Sequence, residues 1–430
     1  TSAHYSALGP LDMGSQPFDQ AKWHSSRRLA SETRSMASAG EADVLDGGVW
    51  IVSDKRLWGG NFVSSNEMSE IILEREQNTP IREQEPKAWP KVAIIILNWN
   101  GWQETIECLE SVEELTYPNY EVIVVDNGSL DDSAERIRGW ALSRPGLLSE
   151  GPQVTQHSIH LPAGPARVML RGPRFALLCS EDNLGFSGGN NLAIDYLLSE
   201  TEPPEFVFLL NNDARIHPDC LTHCVRAALV NGAPIVGAMV WDEEGREPLF
   251  AGSRFPLELF WAAPYKSPPS GDEAWLTDRA HGAAMLVSVS LLKTRLGALG
   301  YCFHPGFFVY CEESELCLWT RRYLGWKTLI VKEAVVYHKG AGSSGGPGNP
   351  LAYYYLTRNR VHLARNFLPW MWRFVFHAWY LASRLVRAAQ LVVRGNCRSA
   401  CAMLEGLRDG YMGRWGKWHN HPYSRGGHDG

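Results

Sequence analysis

The stretch that decides the fold is residues 206–213, which read FVFLLNND. Five apolar residues run without a break, which is typical of a strand that is covered on both faces in an α/β sheet. The chain then turns polar at Asn211, Asn212 and Asp213. Ligands of open α/β sheets bind beyond the carboxyl ends of the strands, so a carboxylate here could hold a hard divalent cation. The alternative is a buried strand that ends in an ordinary polar turn.

Other apolar runs flank this stretch along the chain. The runs 92–97, 121–125 and 175–179 alternate with segments of helical spacing, such as 102–115 and 189–199. This alternation predicts an α/β fold with a Rossmann-like, mostly parallel sheet, flanked by helices and connected by right-handed crossovers.

The chain divides into three predicted regions. Residues 1–90 are expected to form a partly irregular N-terminal extension, because Ser, Ala, Gly and scattered charges show little periodicity there. Residues 91–345 carry the alternating strands and helices, with irregular segments expected at 144–173 and 242–280. Residues 346–430 are predicted to be a largely helical C-terminal region that ends in a tail rich in Gly and His.

Composition narrows the function class. Charged residues make up 20% and apolar residues 45% of the 430 residues, as in ordinary globular proteins, and the net charge of −6 argues against a nucleic-acid partner. The nine cysteines contain no CxxC pair, which indicates free thiols in a reducing compartment. The opening residues TSAHYSALGP lack a basic and then apolar leader pattern, and no apolar run of about 18 residues occurs. We therefore expect a cytoplasmic protein.

A second carboxylate is expected at the same edge of the sheet. Asp126 ends the run 121–125 and is followed by Asn127 and Gly128, so it could accept hydrogen bonds from a nucleobase or ribose. Asn98 ends the first run and would lie beside it. Both could instead belong to capped turns.

The segment 183–191, NLGFSGGNN, is predicted to be a glycine loop. Its glycines would let backbone N–H groups approach a ligand at the start of the following helix. It fits neither the dinucleotide nor the P-loop pattern, so it is a weak signal by itself.

Acidic residues follow an aromatic run in FFVYCEESELC. Glu312, Glu313 and Glu315 in this apolar setting are candidates for proton abstraction, although acidic residues also favour a helix N-terminus for structural reasons. His338 follows a short apolar run and is a candidate metal ligand.

Together these segments resemble a family 2 glycosyltransferase of the GT-A fold, and most closely its rhamnosyltransferase-like branch. The resemblance is carried, in the order of the family, by IIILNWNG (94–101), VIVVDNGSLDDS (122–133), NLGFSGGNN (183–191), FLLNNDARIHPD (208–219), HGAAMLVS (281–288), FFVYCEESELCLWTRRYLGW (307–326) and VVYHKG (335–340). The segment YYYLTRNR (353–360) also resembles the end of this branch.

The resemblance implies a role for each part of the site. Donor-binding residues would be Asn98, Asp126, Asn127, Asp131, Asn183, Gly185, Phe186, Asn190, Asn212 and Asp213. Mg²⁺ or Mn²⁺ would be held by Asp213 and His338. The catalytic residues would be Glu313 and Glu312, and the acceptor side would include Glu315, His281, Gly282 and Ala283.

The implied reaction is inverting transfer of a sugar, with rhamnose as the first expectation, from a nucleoside-diphosphate donor to a saccharide or lipid-linked acceptor hydroxyl. The chain departs from the family pattern at Asn211, which replaces the first carboxylate of the DxD-type element, and at Glu313, which stands where the family usually has Asp.

Residues 366–394 combine large aromatic residues with five arginines between Arg365 and Arg394. This composition suits a helix at an anionic membrane, such as the inner face of the plasma membrane, or alternatively a contact with the catalytic domain or within a homodimer.

Two other function classes are alternatives to a glycosyltransferase. A sugar nucleotidyltransferase would need a basic glycine loop near the first strand, and NWNGWQET contains neither Lys nor Arg. A non-catalytic nucleotide-sugar-binding protein is compatible with the departures at Asn211 and Glu313.

Overall fold

The structure is a computed structural model that describes residues 43–44, 50–51, 88–144, 146–148, 157–255, 259, 264–268, 273–340 and 349–418. The chain separates into one unit at Thr1–Phe62 and another at Val63–Gly430. In the first unit, strand β1 (Asp43–Val44) pairs antiparallel with β2 (Trp50–Ile51). The rest of the predicted extension up to residue 87 lies outside the described residues, as do residues 341–348 and the tail after 418.

Within the described part of the second unit, twelve strands form a single sheet. They are β3 (Val92–Asn98), β4 (Tyr120–Asn127), β5 (His157–Leu161), β6 (Gly164–Arg171), β7 (Phe175–Ser180), β8 (Phe206–Asn211), β9 (Ala214–Ile216), β10 (Ile235–Trp241), β11 (Pro248–Phe250), β12 (Ala274–Thr277), β13 (Ala284–Ser288) and β14 (Thr328–His338). The main order is β12-β14-β10-β13-β8-β3-β4-β7-β6-β5, with β11 beside β10 and β9 beside β14.

The centre of the sheet is a parallel block of β7, β4, β3 and β8. Nearly all residues of these strands are buried, which explains their unbroken apolar sequences. On either side, β13 and β6 pair antiparallel with this block, so the complete sheet is mixed. The predicted α/β fold is confirmed, and the parallel pairing of its mixed sheet is concentrated at the centre.

The strand register brings polar residues level with one another. Asn98 of β3 pairs with Asp126 of β4, and Leu97 of β3 pairs with Asn211 of β8. Because parallel strands end at a common edge, the polar end of FVFLLNND lies on the same edge as Asp126.

Two segments that were predicted to be irregular contain strands. Within 144–173, β5 and β6 form a hairpin that extends the sheet beside β7, and within 242–280, β11 and β12 pair with β10 and β14. The prediction failed because the hairpin strands carry polar residues and proline and are only partly buried, so they lack a long apolar run. Strand β14 runs without a break from Thr328 to His338.

Nine helices lie in the described part of the second unit. They are α1 (Trp102–Glu113), α2 (Ser133–Leu142), α3 (Gly185–Leu198), α4 (Cys220–Asn231), α5 (Val289–Leu299), α6 (Glu312–Leu324), α7 (Pro350–Phe367), α8 (Trp370–Val393) and α9 (Cys397–Tyr411). The last three form the helical C-terminal segment that the sequence predicted.

Helix α9 approaches α7 closely because two of its positions lack a side chain. A Cβ atom at Gly406 would lie 2.3 Å from the carbonyl oxygen of Tyr354, and one at Gly410 would lie 3.0 Å from the Cβ of Val361. Tyr354 also donates a hydrogen bond to Asp409 at 2.9 Å. Helices α7 and α9 therefore pack almost backbone to backbone.

All nine cysteines are free, as predicted, and seven of them are buried. Among the helices that the structure describes, none has the length and apolar character needed to cross a membrane.

Candidate active site

Asp126 is held at the carboxyl end of β4 by a small polar network. Its Oδ1 accepts hydrogen bonds from Nδ2 of Asn98 at 2.7 Å and from Oγ of Ser129 at 2.5 Å. Thr105 donates to Oδ1 of Asn98 at 2.8 Å, so both ends of the Asn98 amide are engaged. Burial raises the pKa of Asp126, while the hydrogen bonds from Ser129 and Asn98 oppose that rise. Asn98 thus orients Asp126, and Asp126 is the group of this pair that could meet a donor.

The segment that was predicted to be a glycine loop is mostly the first turns of α3, which corrects that prediction. The N–H groups of Phe186 and Ser187 donate to the carbonyl of Phe308, so these two groups are not free for a phosphate. A Cβ at Gly185 would lie 2.3 Å from the same carbonyl oxygen, and Gly185 has a positive φ of 71°. Glycine is needed here because the backbone of residue 308 comes so close.

Asn127 and Asn183 fix the start of α3. Asn127 accepts from the N–H of Leu184 at 3.0 Å and donates to the carbonyl of Gly185 at 3.1 Å, while Asn183 accepts from the N–H of Gly185 at 2.8 Å. Asn190 donates to the carbonyl of Phe186 within the helix. Three of the predicted donor-binding asparagines therefore bond the backbone of α3 and shape the wall of the site.

Asp213 and His338 meet beyond the ends of β8 and β14. Oδ1 of Asp213 lies 3.0 Å from Nε2 of His338, and Nδ2 of Asn211 lies 3.2 Å from the same nitrogen. Both Asp213 and His338 have little exposed surface. Asn212 donates to Oγ1 of Thr105 at 3.2 Å, which joins this pair to the network around Asp126.

A divalent cation fits the Asp213–His338 pair by its chemistry. No group of three or more His, Cys, Asp or Glu side chains is arranged to hold a metal among the residues that the structure describes. A carboxylate oxygen and an imidazole nitrogen side by side nevertheless form a partial ligand set of the kind that Mn²⁺ and Mg²⁺ complete with substrate phosphate oxygens and water. The cation would therefore depend on the donor for its remaining ligands.

His281, Gly282 and Ala283 connect the metal candidates to the acidic segment. The imidazole of His281 lies 5.7 Å from that of His338, measured between ring centroids. Burial and the neighbouring charge of His338 lower the pKa of His281 to about 3, so this ring is neutral. Its Nδ1 accepts from the N–H of Ala283 at 3.2 Å. The carbonyl of Ala283 in turn accepts from the N–H of Asn211 at the end of β8.

The two adjacent glutamates have different surroundings. Glu313 pairs with Arg279 at 3.1 Å, and its Cβ would lie 3.7 Å from a Cβ placed on Gly282. Glu312 is buried, and its Oε2 has no hydrogen-bond partner. Burial and the like charge of Glu313 raise the pKa of Glu312 well above its ordinary range, which favours its neutral form. Glu313, which pairs with a guanidinium, is therefore the candidate base of the two, and the expectation of a catalytic Glu312 is not supported.

Two other predicted residues lie in different environments from those expected. Glu315 pairs with the fully buried Arg295 at 2.6 Å, inside the protein, so the structure contradicts an acceptor-side role for it. Asp131 is exposed and accepts from the N–H of Ser133 at the start of α2, which is a capping contact.

Sequence reasoning missed Arg279, whose guanidinium also lies over the ring of Phe250 at 4.7 Å. A hydrogen bond from a guanidinium holds a carboxylate in a fixed orientation. The sequence offered no signal for this pairing, because 34 positions separate the two residues in a segment without regular periodicity.

The backbone before Glu312 is strained and is held by α7. Phe308, Tyr310 and Cys311 have positive φ angles of 67°, 67° and 75°, which are costly for residues with side chains. The Asn359 amide donates to the carbonyls of Phe307, Val309 and Tyr310 at 3.1, 2.9 and 2.7 Å.

Arg358 also holds the loop before Glu312 by hydrogen bonds. Its guanidinium donates to the carbonyls of Gly306 and Phe307 at 2.9 and 2.8 Å and to the carbonyl of Gly416. Arg358 and Asn359 belong to YYYLTRNR, and they compensate the strain of the loop by satisfying its carbonyl groups.

The candidate residues therefore converge on one edge of the sheet. A run of contacts connects Asp126, Asn98, Thr105 and Asn212 on one side with Asp213, His338 and His281 on the other. Glu313 lies close to the next residue, Gly282, where an added Cβ would be 3.7 Å from the Cβ of Glu313.

Comparison with known proteins agrees with this architecture. The sequence model of the family described as Glycosyl transferase family 2 matches residues 93–153, from β3 past α2. The low-salt glycan biosynthesis hexosyltransferase Agl10 of Haloferax volcanii is 31% identical over 148 residues, which are 33% of this chain and 45% of that protein. The chain thus spans less than half the length of this relative.

Solved structures show more distant similarity. The mannosyltransferase PcManGT from Pyrobaculum calidifontis, in complex with GDP-Man and Mn²⁺, is 16% identical with a TM-score of 0.47, over 92% of this chain and all of that one. S. aureus TarS 1–349 in complex with UDP-GlcNAc is 15% identical with a TM-score of 0.45, over 74% of this chain and 80% of that one. These values are too low to transfer residue roles.

The matched segment contains nearly all of β3, the whole of β4, and Asp126. In this segment the chain is similar to family 2 glycosyltransferases.

Proposed function

We propose that this protein is an inverting, metal-dependent glycosyltransferase that moves a hexose from a nucleoside-diphosphate donor to an acceptor hydroxyl. The observation that carries the proposal is the placement of Asp126, the Asp213–His338 pair and Glu313 along one edge of the sheet. These groups meet three separate demands of the reaction, namely recognition of the nucleoside, charge neutralisation at the diphosphate and removal of a proton.

The donor would lie along this edge with its nucleoside near Asp126. Asp126 is oriented by Asn98 and Ser129 and can accept hydrogen bonds from a base or a ribose. Asp213 and His338 would hold a divalent cation, which supplies charge neutralisation to the leaving diphosphate. Because the two side chains already lie 3.0 Å apart, little rearrangement would be needed to bind it.

Glu313 would act as the general base. Its carboxylate takes the proton of the acceptor hydroxyl, and the oxygen attacks the anomeric carbon from the face opposite the diphosphate. A new C–O bond forms as the bond from the anomeric carbon to the phosphate oxygen breaks, which inverts the configuration of that carbon. Arg279 fixes the direction of the base by donating a hydrogen bond to its Oε1. Gly282 leaves room beside it, since a side chain there would approach Phe186 and Glu313.

The donor sugar and the acceptor are proposed by chemical class. The rhamnosyltransferase-like motifs favour a deoxyhexose such as rhamnose, and the relative Agl10 is named a hexosyltransferase. A saccharide or a lipid-linked saccharide would provide the acceptor hydroxyl.

The test is a screen of UDP-, GDP- and dTDP-linked sugars, measuring donor hydrolysis and transfer with Mn²⁺ or Mg²⁺. We expect one donor class to be turned over and chelation to abolish turnover. Glu313→Gln should lower kcat by about 10²- to 10⁴-fold, the usual contribution of a general base, with donor binding retained.

The matched control is Glu312→Gln, which removes a neighbouring carboxyl group that is buried and protonated. It should keep most of the activity. Equal turnover by Glu313→Gln and the unmodified protein would overturn the assignment of the base, and failure of every nucleotide sugar to bind would overturn the function.

A further inference from the structure

Helix α8 has one face packed on the protein and one long apolar face that is exposed. Its buried side chains include Phe376, Tyr380, Ala388 and Leu391. The opposite face consists only of apolar residues at helical spacing: Met371, Phe374, Val375, Ala378, Leu381, Ala382, Leu385, Val386, Ala389, Val392 and Val393. At 1.5 Å per residue this apolar face is about 36 Å long. An exposed apolar surface of this extent marks an interaction site.

The N-terminal end of α8 adds exposed aromatic residues. Trp370 and Phe374 are each 77% exposed, and Trp372 is 48% exposed. An indole ring combines a large apolar surface with one N–H donor, which suits the boundary between lipid head groups and acyl chains.

The segment that contains α7, α8 and the start of α9 carries formal charges of one sign, and the nearest acidic residues along the chain after it are Glu405 and Asp409 of α9. Residues 350–404 contain eight arginines, no lysine and no acidic residue, whereas the whole chain has a net charge of −6. Arg373, Arg384 and Arg387 lie on the side of α8 turned away from the apolar face, where they contact Leu368, Tyr380 and Tyr353. Arg365, Arg394 and Arg398 are exposed nearby.

This charge pattern distinguishes between two occupants of the apolar face. Two copies of the chain that met through α8 would bring two arginine-rich segments together without a carboxylate in either. A surface of anionic lipids would instead complement the charge while it covers the apolar residues.

We propose that α8 docks the protein on an anionic lipid surface, lying in the plane of the interface with Phe374 and Leu385 inserted. A peripheral position agrees with the absence of a spanning helix among those described.

The docked helix would place the acceptor side of the site near the lipid. Phe376 and Tyr380 pack in one cluster with Phe307 and Cys311, directly before the glutamate pair. If the proposed transferase activity is correct, on which this consequence rests, the arrangement favours an acceptor that is carried by a lipid.

The test is flotation of the full chain with vesicles of phosphatidylcholine alone or with about one third phosphatidylglycerol, without donor or acceptor. We expect binding to the anionic vesicles that weakens at high salt. The double variant Phe374→Glu/Leu385→Glu should bind at least tenfold less. The matched control Leu229→Glu/Val230→Glu, at two residues of α4 that are each 43% exposed, should bind normally.

Several outcomes would overturn the proposal. These are no binding to anionic vesicles, equal binding by the α8 double variant, or a dimer in lipid-free solution that the α8 variant dissociates. The last result would assign the face to a second copy. Since the assay needs no catalysis, its result is independent of the proposed transfer reaction, and circular dichroism of each variant verifies that it is folded.

Discussion

The candidate site has two halves that are built in different ways. One is the sheet edge with Asp126 and Asp213, which is proposed to bind the donor (the donor edge), and the other is the loop before Glu312 (the acceptor-side loop). Asp126 is the last residue but one of β4, and Asp213 lies two residues after the end of β8, so the register of the central strands brings them to the same edge. Glu313 follows a loop with three positive φ angles, and Arg358 and Asn359, about fifty positions later, hold that loop. One half of the site depends on local strand geometry, and the other depends on a distant helix.

This difference predicts how each half fails. A change at the donor edge should weaken donor binding while the chemistry of the bound complex continues. A change in the hydrogen bonds by which α7 holds the loop should leave donor binding intact and displace the base. The rate of the chemical step should then fall.

Among changes outside the proposed base itself, the largest effect is expected for Asn359→Ala. The variant loses the amide that bonds three loop carbonyls, so the loop before Glu312 can relax. We expect kcat to fall about 10²-fold with the donor KM nearly unchanged, since a misplacement of about 1 Å can cost that much. Steady-state kinetics with varied donor and varied acceptor concentrations measure the change in kcat and the change in KM separately. A raised donor KM with normal kcat would contradict the comparison.

A smaller effect, on donor KM instead of kcat, is expected for Asn98→Ala. Asp126 loses a hydrogen bond of 2.7 Å and the side chain that orients it, so donor affinity should fall about tenfold, or about 1.4 kcal/mol. The donor KM should rise and kcat should change little. Thr105→Val, which removes the hydroxyl that orients Asn98, should give a weaker version of the same result.

The buried Glu312 is expected to make the free energy of unfolding depend on pH. The pKa of Glu312 is raised above its ordinary value of 4.5, so the folded protein keeps a proton that the unfolded chain releases. Stability is therefore lost as pH rises from the unfolded pKa towards the folded pKa, by at most about 1.4 kcal/mol per pH unit. Glu312→Gln should remove this loss.

Urea unfolding at pH 5 and pH 8 measures the effect of Glu312→Gln. The variant should gain stability relative to the unmodified protein at the higher pH and much less at the lower. The exposed Glu202→Gln variant controls for the change in net charge. An advantage for Glu312→Gln that is the same at both pH values would contradict the assignment of a protonated carboxyl group.

The smallest effect on catalysis is expected where α9 supports α7. A methyl group at Gly406 would collide with the Tyr354 carbonyl at 2.3 Å, so Gly406→Ala should cost about 1–3 kcal/mol and slightly lower kcat. Gly297→Ala in α5 is the matched control, because a Cβ there meets no atom within 4 Å, and it should be neutral or stabilising. Thermal unfolding of both variants tests this difference.

The same contrast explains what the sequence could predict. The strands of the central block, the α/β class and the candidates Asp126 and Asp213 could be predicted because apolar runs and the residues that end them are local signals. The pairing of Glu313 with Arg279, the grip of Asn359 and the engagement of Glu315 by Arg295 depend on contacts between distant residues. No periodicity reports such contacts. The glycine segment was misread because close helix packing and phosphate binding both favour glycine.

The contacts of residues 414–418 set the order in which the site can assemble during synthesis. The N–H of Gly416 bonds the carbonyl of Gly306, and Trp415 stacks on His304 with 4.4 Å between ring centroids. A nascent chain that has emerged only as far as β14 already contains every strand of the sheet, yet it lacks the pieces that close over the loop before Glu312. Nucleotide recognition could therefore mature on the ribosome before the polypeptide gains the geometry for transfer.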